Sequence, residues 1–283
     1  MVRRSRNSYE PQDLLVFDIE TIPDIDCCYE LTGIKPYSDE HAVQLIYDYH
    51  EQSSGNSFPR QPFHKIVVLS ILHAKNQGEY FKVEKISSAS LEEKSEREII
   101  DNFFQIFKEG FLPIIVTYNG KIFDIPVLKY RAMKHFVQSR EFYCSGDKWN
   151  SYNQRYSMDW HCDLLEVLSD YGSASKNVKM HEICTMLNIP GKIGVDGSQV
   201  SGLFFQSEWE KLRNYCESDV ISTYLIYLRL MHTRGNLVDE MYNKSIDSIL
   251  FYLKNNTSNN KHYIKYLEEW ALSCDHQFMI SCK

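Results

Sequence analysis

Two targeting signals are absent from this sequence of 283 residues. No apolar run approaches the roughly 20 residues that a membrane-spanning helix needs, so an integral membrane protein is not predicted. The chain starts with basic residues, but residues 8–13 are polar and no apolar core follows, which argues against a secretory signal peptide. The sequence therefore predicts a cytoplasmic protein with no membrane partner.

The eight cysteines form no Cys-x-x-Cys pair and show no regular spacing, so a zinc site is not predicted. Most stand among apolar neighbours, as Cys184 does, and are expected to be reduced thiols in the core. A glycine-rich stretch at residues 190–199 lacks the Gly-Lys-Ser/Thr ending of a nucleotide-binding loop, which leaves a mobile loop as the better prediction.

A general excess of positive charge is also missing, since the net charge is −7 at pH 7. This excludes a bulk polyelectrolyte binder, but not an enzyme that handles nucleic acid with a few local Lys and Arg side chains. Hydrophobic residues make up 43% of the chain and charged residues 24%, which is typical of a soluble globular protein. We expect one large domain over residues 1–235 and a helical appendage over residues 236–283, because Gly235 breaks the preceding helical pattern.

The first candidate site is a short apolar run, residues 14–21, that carries two acids near its end. Its length and its Leu, Val, Phe and Ile content predict a buried strand that stops at Pro23. Because side chains alternate along a strand, Asp18 and Glu20 share one face while their neighbours point into the core. Two adjacent carboxylates favour a divalent cation, although Asp-x-Glu at a solvated strand end is a common alternative.

The second candidate segment carries one acid and follows a strand predicted over residues 112–118. The strand leads into Asn119-Gly120-Lys121-Ile122-Phe123-Asp124, and then into a helix predicted over residues 125–135. Asp124 is therefore either a site residue or the N-cap of this helix, since Asp is among the best caps. The two roles can coexist, because a cap uses one carboxylate oxygen and leaves the other.

A third segment is a long helix predicted over residues 208–230. Within it Tyr215 and Asp219 are four residues apart and so lie on one face. Such a pair alone is usually a half-buried contact. Together, however, the three segments would bring four acids to the carboxyl ends of strands or onto an adjoining helix, where open α/β sheets place their sites, and a pair of Mg²⁺ ions would neutralise them.

The three segments resemble the exonuclease motifs of the DEDD superfamily of 3′→5′ exonucleases, most closely the stand-alone group related to the proofreading domain of family-B DNA polymerases. The matching sequences are Phe-Asp-Ile-Glu-Thr at 17–21, Tyr-Asn-Gly-Lys-Ile-Phe-Asp-Ile-Pro at 118–126 and Tyr-Cys-Glu-Ser-Asp at 215–219. Asn214 stands at the position of the superfamily's alternative His, and Tyr215 at that of the Tyr, so the chain resembles the tyrosine branch. The resemblance implies an α/β, ribonuclease-H-like fold: a mixed five-stranded sheet with helices on both faces, here followed by C-terminal helices.

The resemblance also implies the roles of individual residues. Two ions, Mg²⁺ or Mn²⁺, would be bound, with Asp18, Glu20 and Asp219 on one, Asp18 bridging to the second, and Asp124 assisting through water. Tyr215 would orient the attacking water. A secondary candidate is Asp163, and the implied substrate contacts are Thr21, Ile22, Asn119, Phe123 and Lys192.

The expected substrate is nucleic acid with a free 3′ end, and single-stranded DNA is favoured. Residues 141–156 interleave aromatic and basic side chains, which suits either a stacking platform for unpaired bases or an ordinary surface loop. Because no polymerase module follows, we expect a free-standing repair nuclease. The alternatives are an exoribonuclease of the same branch and, in a different class, an inactive nuclease fold that only binds nucleic acid.

Overall fold

The computed structural model of the chain describes residues 12–175, 177–191, 197–274 and 279–280. Its centre is a five-stranded mixed sheet with strand order β3-β2-β1-β4-β5. The strands are β1 Leu14–Pro23, β2 His64–Asn76, β3 Phe81–Ser90, β4 Ile114–Thr117 and β5 His161–Asp163. Since β1 pairs with β2 in antiparallel and with β4 in parallel orientation, the predicted mixed sheet is confirmed.

Helices cover both faces of this sheet. They are α1 Cys28–Thr32, α2 Asp39–Ser54, α3 Glu96–Gln105, α4 Asp124–Lys134, α5 Arg140–Cys144, α6 Leu164–Leu168, α7 Met180–Leu187, α8 Val200–Phe205, α9 Trp209–Thr233, α10 Asp239–Asn255 and α11 His262–Cys274. None of the helices in the described residues is long and apolar enough to cross a membrane.

Strand β1 lies in the middle of the sheet because its side chains are apolar on both faces. Leu15, Phe17 and Ile19 pack into one buried cluster with α3 and α4. Leu14 and Val16 face the other way, into a cluster with α9. By the period of two along a strand, Asp18 and Glu20 continue the row that faces α9. Each acid is thus held by a strand that is fixed from both sides.

The pairing of β1 with β2 shifts register directly after Glu20. Glu20 lies opposite Val68, but Thr21 lies opposite Ile66, so Val67 is an extra residue in β2. Such bulges increase the local twist and often occur beside functional sites. Here the shift separates the acid-bearing part of β1 from its last three residues.

Two local predictions were wrong. The apolar spacing predicts a helix over residues 91–108 with Ser90 as its cap. Helix α3 begins at Glu96 instead, because Ser95 and Glu98 form a capping box and Ser90 is still the last residue of β3. The segment 141–156 was expected to contain no helix, yet α5 lies at its start. For α3, the hydrogen bonds of the capping box outweighed the apolar spacing that places its start too early.

The C-terminal helix α10 covers the exposed edge of β3. The main-chain N–H groups of Phe81 and Val83 donate to the hydroxyls of Ser245 and Ser248, at 3.1 and 2.8 Å. The N–H of Ile86 donates to the hydroxyl of Tyr252 at 2.9 Å. Side chains of one helix therefore satisfy edge donors that a neighbouring strand would otherwise pair.

Candidate active site

The carboxylates of Asp18 and Glu20 form the centre of the candidate site. Their oxygens and the Sγ atom of Cys216, on α9, all lie within 4.8 Å of one another. The thiol of Cys216 is 3.6 Å from Oδ2 of Asp18. Glu20 is buried and Asp18 is partly exposed, so the pair lies at the floor of an accessible site.

Asp124 is brought to the same place by β1 itself. Its Oδ1 atom accepts a hydrogen bond of 3.1 Å from the main-chain N–H of Ile19, the residue between the two β1 acids. Phe123, rather than Asp124, occupies the N-cap position of α4, and no side chain caps this helix. The capping alternative was therefore wrong. A main-chain N–H of the central strand, 105 residues earlier in the sequence, thus fixes the position of the Asp124 carboxylate.

Tyr215 and Asp219 come from the buried part of α9. Their side chains are 5% and 7% exposed, and they share a hydrogen bond across one helical turn. Because Cys216 lies against Asp18, this turn of α9 faces the acids of β1. The three segments singled out in the sequence thus meet at one place.

The electrostatics of the site are those of crowded like charges. Burial raises the pKa of Asp18 well above its usual value, and the charges of Asp124, Glu20 and Asp219 raise it further. Burial also raises the pKa of Asp124 to about 7. These carboxylates are unfavourable neighbours on their own. Several hard oxygen donors in one partly buried place are a donor set that suits Mg²⁺ or Mn²⁺.

The hydroxyl of Tyr215 stays protonated in this environment. Burial raises its pKa above the usual value, and so do the charges of Asp219 and Glu20. A phenol of this kind is a hydrogen-bond donor rather than a base near neutral pH. It can orient a polar group, but it cannot remove a proton.

The carboxylate of Asp163, the secondary candidate, accepts hydrogen bonds from main-chain N–H groups. Its side chain accepts hydrogen bonds from the main-chain N–H groups of Leu165 and Glu166 and thereby caps α6. It also accepts bonds of 2.9 and 2.7 Å from the N–H groups of Asn119 and Lys121. Since Asn119 has a positive φ of 69°, Asp163 holds the strained loop that leads to Asp124. Its oxygens are thus engaged by the main chain.

The predicted substrate contacts fall into three groups. Thr21 and Phe123 both lie beside His64. The Nδ1 atom of His64 is hydrogen-bonded to the Thr21 hydroxyl at 2.9 Å, and the centre of its ring is 4.9 Å from that of the Phe123 ring. The side chain of Ile22 is 1% exposed and packs in the core beneath them. Asn119 is partly exposed on its loop, and Lys192 lies outside the described residues.

Sequence reasoning missed Phe58, His64 and Cys216, which lie at this site. Phe58 is 56% exposed, and its ring is 5.8 Å from that of Phe123 and 4.9 Å from that of His64. Cys216, expected only as a core thiol, touches Asp18. The position of Cys216 directly after Tyr215 could have revealed it. No local signal marks Phe58, because its place depends on how the chain returns from α2 to β2.

Comparison with known proteins agrees with this geometry. A family described as a predicted 3′-5′ exonuclease related to the exonuclease domain of PolB matches residues 56–270. The match contains Asp124, Tyr215 and Asp219, and begins after β1. In a structural comparison, the family B DNA polymerase from Pyrobaculum calidifontis aligns with 78% of this chain, at a TM-score of 0.52 and 19% identity, over 25% of its own length. This likeness supports the fold that was predicted.

Curated relatives are DNA polymerases that match over short stretches. The DNA polymerase of Pyrococcus glycovorans is 33% identical over 102 residues, which are 34% of this chain and 12% of the relative. The catalytic component of DNA polymerase epsilon from Emericella nidulans is 26% identical over 147 residues, 50% of this chain and 6% of the relative. The chain thus spans only a small part of these relatives. Because the family match extends over more than half of its residues, the chain belongs to the family of predicted 3′-5′ exonucleases related to the exonuclease domain of PolB.

Proposed function

We propose that this protein is a 3′→5′ exonuclease that hydrolyses phosphodiesters at the 3′ end of single-stranded DNA, with two Mg²⁺ or Mn²⁺ ions at its site. The observation that carries the proposal is the convergence of four carboxylates, with Asp124, Glu20 and Asp219 all acting on the pKa of Asp18. Packing alone gives no reason for such a cluster. A negatively charged phosphodiester could approach it only with cations present.

In this proposal each acid has a distinct task. Asp18, Glu20 and Asp219 would hold one ion, and Asp18 and Asp124 would contribute to holding the second. When bound, the ions would activate a water for attack on phosphorus and stabilise the leaving 3′-oxygen. The main-chain bond from Ile19 keeps Asp124 oriented toward β1. Tyr215, anchored to Asp219, presents a hydroxyl that orients the attacking water.

The preference for unpaired DNA is supported by the aromatic side chains next to the acids. Phe58 exposes most of its ring beside Phe123, and Phe123 directly precedes Asp124. Burial lowers the pKa of His64, which packs between them, to about 4, so its ring is neutral near pH 7. Neutral rings at the edge of a site stack well on unpaired bases of any sequence.

A digestion of end-labelled oligonucleotides tests the reaction. With Mg²⁺ or Mn²⁺, single-stranded DNA labelled at the 5′ end should yield a ladder that shortens from the 3′ end, and chelator should abolish it. Asp18→Asn should slow the reaction by a factor on the order of 10³ or more, because it removes the central ligand. Asp48→Asn, at an exposed position of α2, is the matched control and should retain full activity.

Matched RNA digested side by side decides between the two nucleic acids. Faster shortening of RNA than of DNA would contradict the DNA proposal and favour the exoribonuclease alternative. Loss of cleavage of both, together with no Mg²⁺ or Mn²⁺ binding by calorimetry, would favour the inactive binding module. Unchanged cleavage by Asp18→Asn would remove the proposed chemistry altogether.

Phe58→Ala tests the stacking contact. We expect binding of a single-stranded oligonucleotide to weaken about tenfold, since stacking of one base contributes ~1–3 kcal/mol. Fluorescence anisotropy in the Asp18→Asn background, which prevents digestion, measures this effect. Phe251→Ala, which removes a ring that is 72% exposed on α10, is the control and should change nothing. Equal binding by both variants would place the bases elsewhere.

A further inference from the structure

A second cavity lies on the face of the sheet opposite Asp18 and Glu20. It has a volume of about 380 Å³ and opens between α4, the segment 152–155 and the start of β5. Ile125, from its wall, packs into the cluster of the α3 and α4 face, whereas the acids of β1 face α9. The sheet therefore separates this cavity from Asp18 and Glu20, whereas Asp124 is the sequence neighbour of Ile125 in its wall.

Positive charge predominates among the side chains that line this cavity. Lys121, Lys129 and Arg155 line it, with Glu166 as the acidic residue of its wall. Arg155 pairs with Glu166 at 2.8 Å. The two lysines bond to neutral oxygens instead: Lys121 to the main-chain carbonyl of Arg155 at 2.5 Å, and Lys129 to the Asn153 side chain at 2.9 Å. Neither lysine forms an ion pair with a carboxylate among the described residues, although the charges of Asp163 and Glu166 act on Lys121.

Burial and neighbouring positive charge lower the pKa values of three basic groups around this cavity. Burial lowers the pKa of both lysines, as it does for cations that have lost water. His161 lies in the cavity wall, and its pKa is lowered well below the usual value by burial and by the charges of Lys121 and Lys129. An anion in the cavity would restore the solvation that these cations lack.

We propose that this cavity binds a nucleoside monophosphate, with the phosphate held by Lys121, Lys129 and Arg155. The volume lies at the lower end of that of small-molecule sites, ~300–1,000 Å³. Ile122 and Ile125 offer an apolar wall for the base, and the amides of Asn153 and Gln154 offer hydrogen bonds for polar groups of the base or sugar. The loop that carries Lys121 continues directly to Asp124, so the bound nucleotide would touch the segment that positions this acid.

Isothermal titration calorimetry of the full chain tests the site, with dAMP and inorganic phosphate as separate probes. Chelator is present throughout, so that the acid cluster cannot bind a phosphate through metal ions. We expect both probes to bind, and dAMP to bind more tightly. Lys129→Gln should weaken both about tenfold or more, because it removes a charge-assisted contact. Lys35→Gln, which removes an exposed lysine of equal charge, should leave binding unchanged.

Three results would overturn the proposal: no binding of dAMP at millimolar concentration, equal affinity of the wild-type and Lys129→Gln proteins, or phosphate binding as tightly as dAMP. Arg155→Gln provides a second variant if Lys129→Gln alters the melting temperature. The Asp18→Asn protein should bind dAMP as the wild type does. A protein without nuclease activity can therefore still confirm this site, and an active nuclease can still refute it.

Discussion

Two clusters of buried carboxylates lie close together in this protein. Cations of the protein neutralise the charges of one cluster, whereas the carboxylates of the other act on one another. Asp24, which follows β1, and Glu96, at the start of α3, surround Arg131, which is 1% exposed. Arg131 bonds to both acids, Lys134 adds a bond of 2.5 Å to Asp24, and His135 lies 2.7 Å from Glu96. This cluster brings its cations from α4.

In the candidate active site, the acid nearest in sequence is Glu20, only four residues before Asp24, but there the neighbouring groups are acids. Burial alone would raise the pKa of Asp24, yet hydrogen bonds from Lys134 and Arg131 bring it below the usual value. The pKa of Asp18 moves the other way, because burial and three carboxylates act together. Carboxylates that are paired with cations of the protein contribute to stability. Carboxylates that stand among other carboxylates are suited to bind metal cations.

The largest effect on stability is expected where the paired carboxylates lose their cation. Arg131→Met leaves Asp24 and Glu96 buried without their shared partner, which should lower the free energy of unfolding by ~3–5 kcal/mol. Urea denaturation followed by circular dichroism measures the change. Lys211→Met removes a surface cation that pairs only with Glu208, and as control it should cost less than about 1 kcal/mol. Equal effects would show that the buried cluster has no special role.

Replacing Asp by Asn should change the free energy of unfolding in opposite directions in the two clusters. Without divalent ions, Asp24→Asn should destabilise the protein by about 2–3 kcal/mol, since it removes charged hydrogen bonds to Arg131 and Lys134. Asp18→Asn should stabilise it, since it removes the like charge that Glu20, Asp124 and Asp219 repel. Thermal melts in chelator compare the two variants. If Asp18→Asn also destabilised the protein, the repulsion inferred among these carboxylates would be wrong.

A smaller effect is expected from pH. The folded-state pKa of Asp124, about 7, exceeds the unfolded value near ~4, so between these values the folded chain binds more protons. In chelator, the melting temperature should therefore fall as pH rises from about 4 to about 7. Mg²⁺ binds the ionised carboxylates and should reduce this fall or reverse it. A melting temperature that rises over this range in chelator would contradict the raised pKa.

The residues alone predicted the strand of Asp18 and Glu20 and the long helix of Tyr215, because each has a strong period or a continuous apolar run. The mixed sheet was predicted through the family resemblance. The order of the three acid-bearing segments also predicted that they come together. The sequence left Asp124 undecided between a cap and a site residue. The structure removes the cap, because Phe123 holds the N-cap position and Asp124 accepts a bond from the N–H of Ile19, and no spacing encodes a contact over such a separation.

Other features depend on tertiary structure in the same way. Asp163 is acidic and follows a buried strand, as Asp18 and Glu20 lie near the end of another, yet its oxygens satisfy main-chain donors of two segments. Phe58 enters the site because the chain returns beside Phe123. The cations of α4 reach Asp24 only after folding. Residue type predicts which chemistry is available, whereas the partners that folding supplies decide whether it remains available.

The cover that α10 places on β3 affects how the chain can be divided. A fragment that ended at Gly235 would present the outer strand with the N–H groups of Phe81, Val83 and Ile86 exposed. Another copy could then add its own strand there and continue the sheet from molecule to molecule. Helix α10 thus takes the place of a sixth strand, because its serine and tyrosine hydroxyls accept hydrogen bonds from these N–H groups.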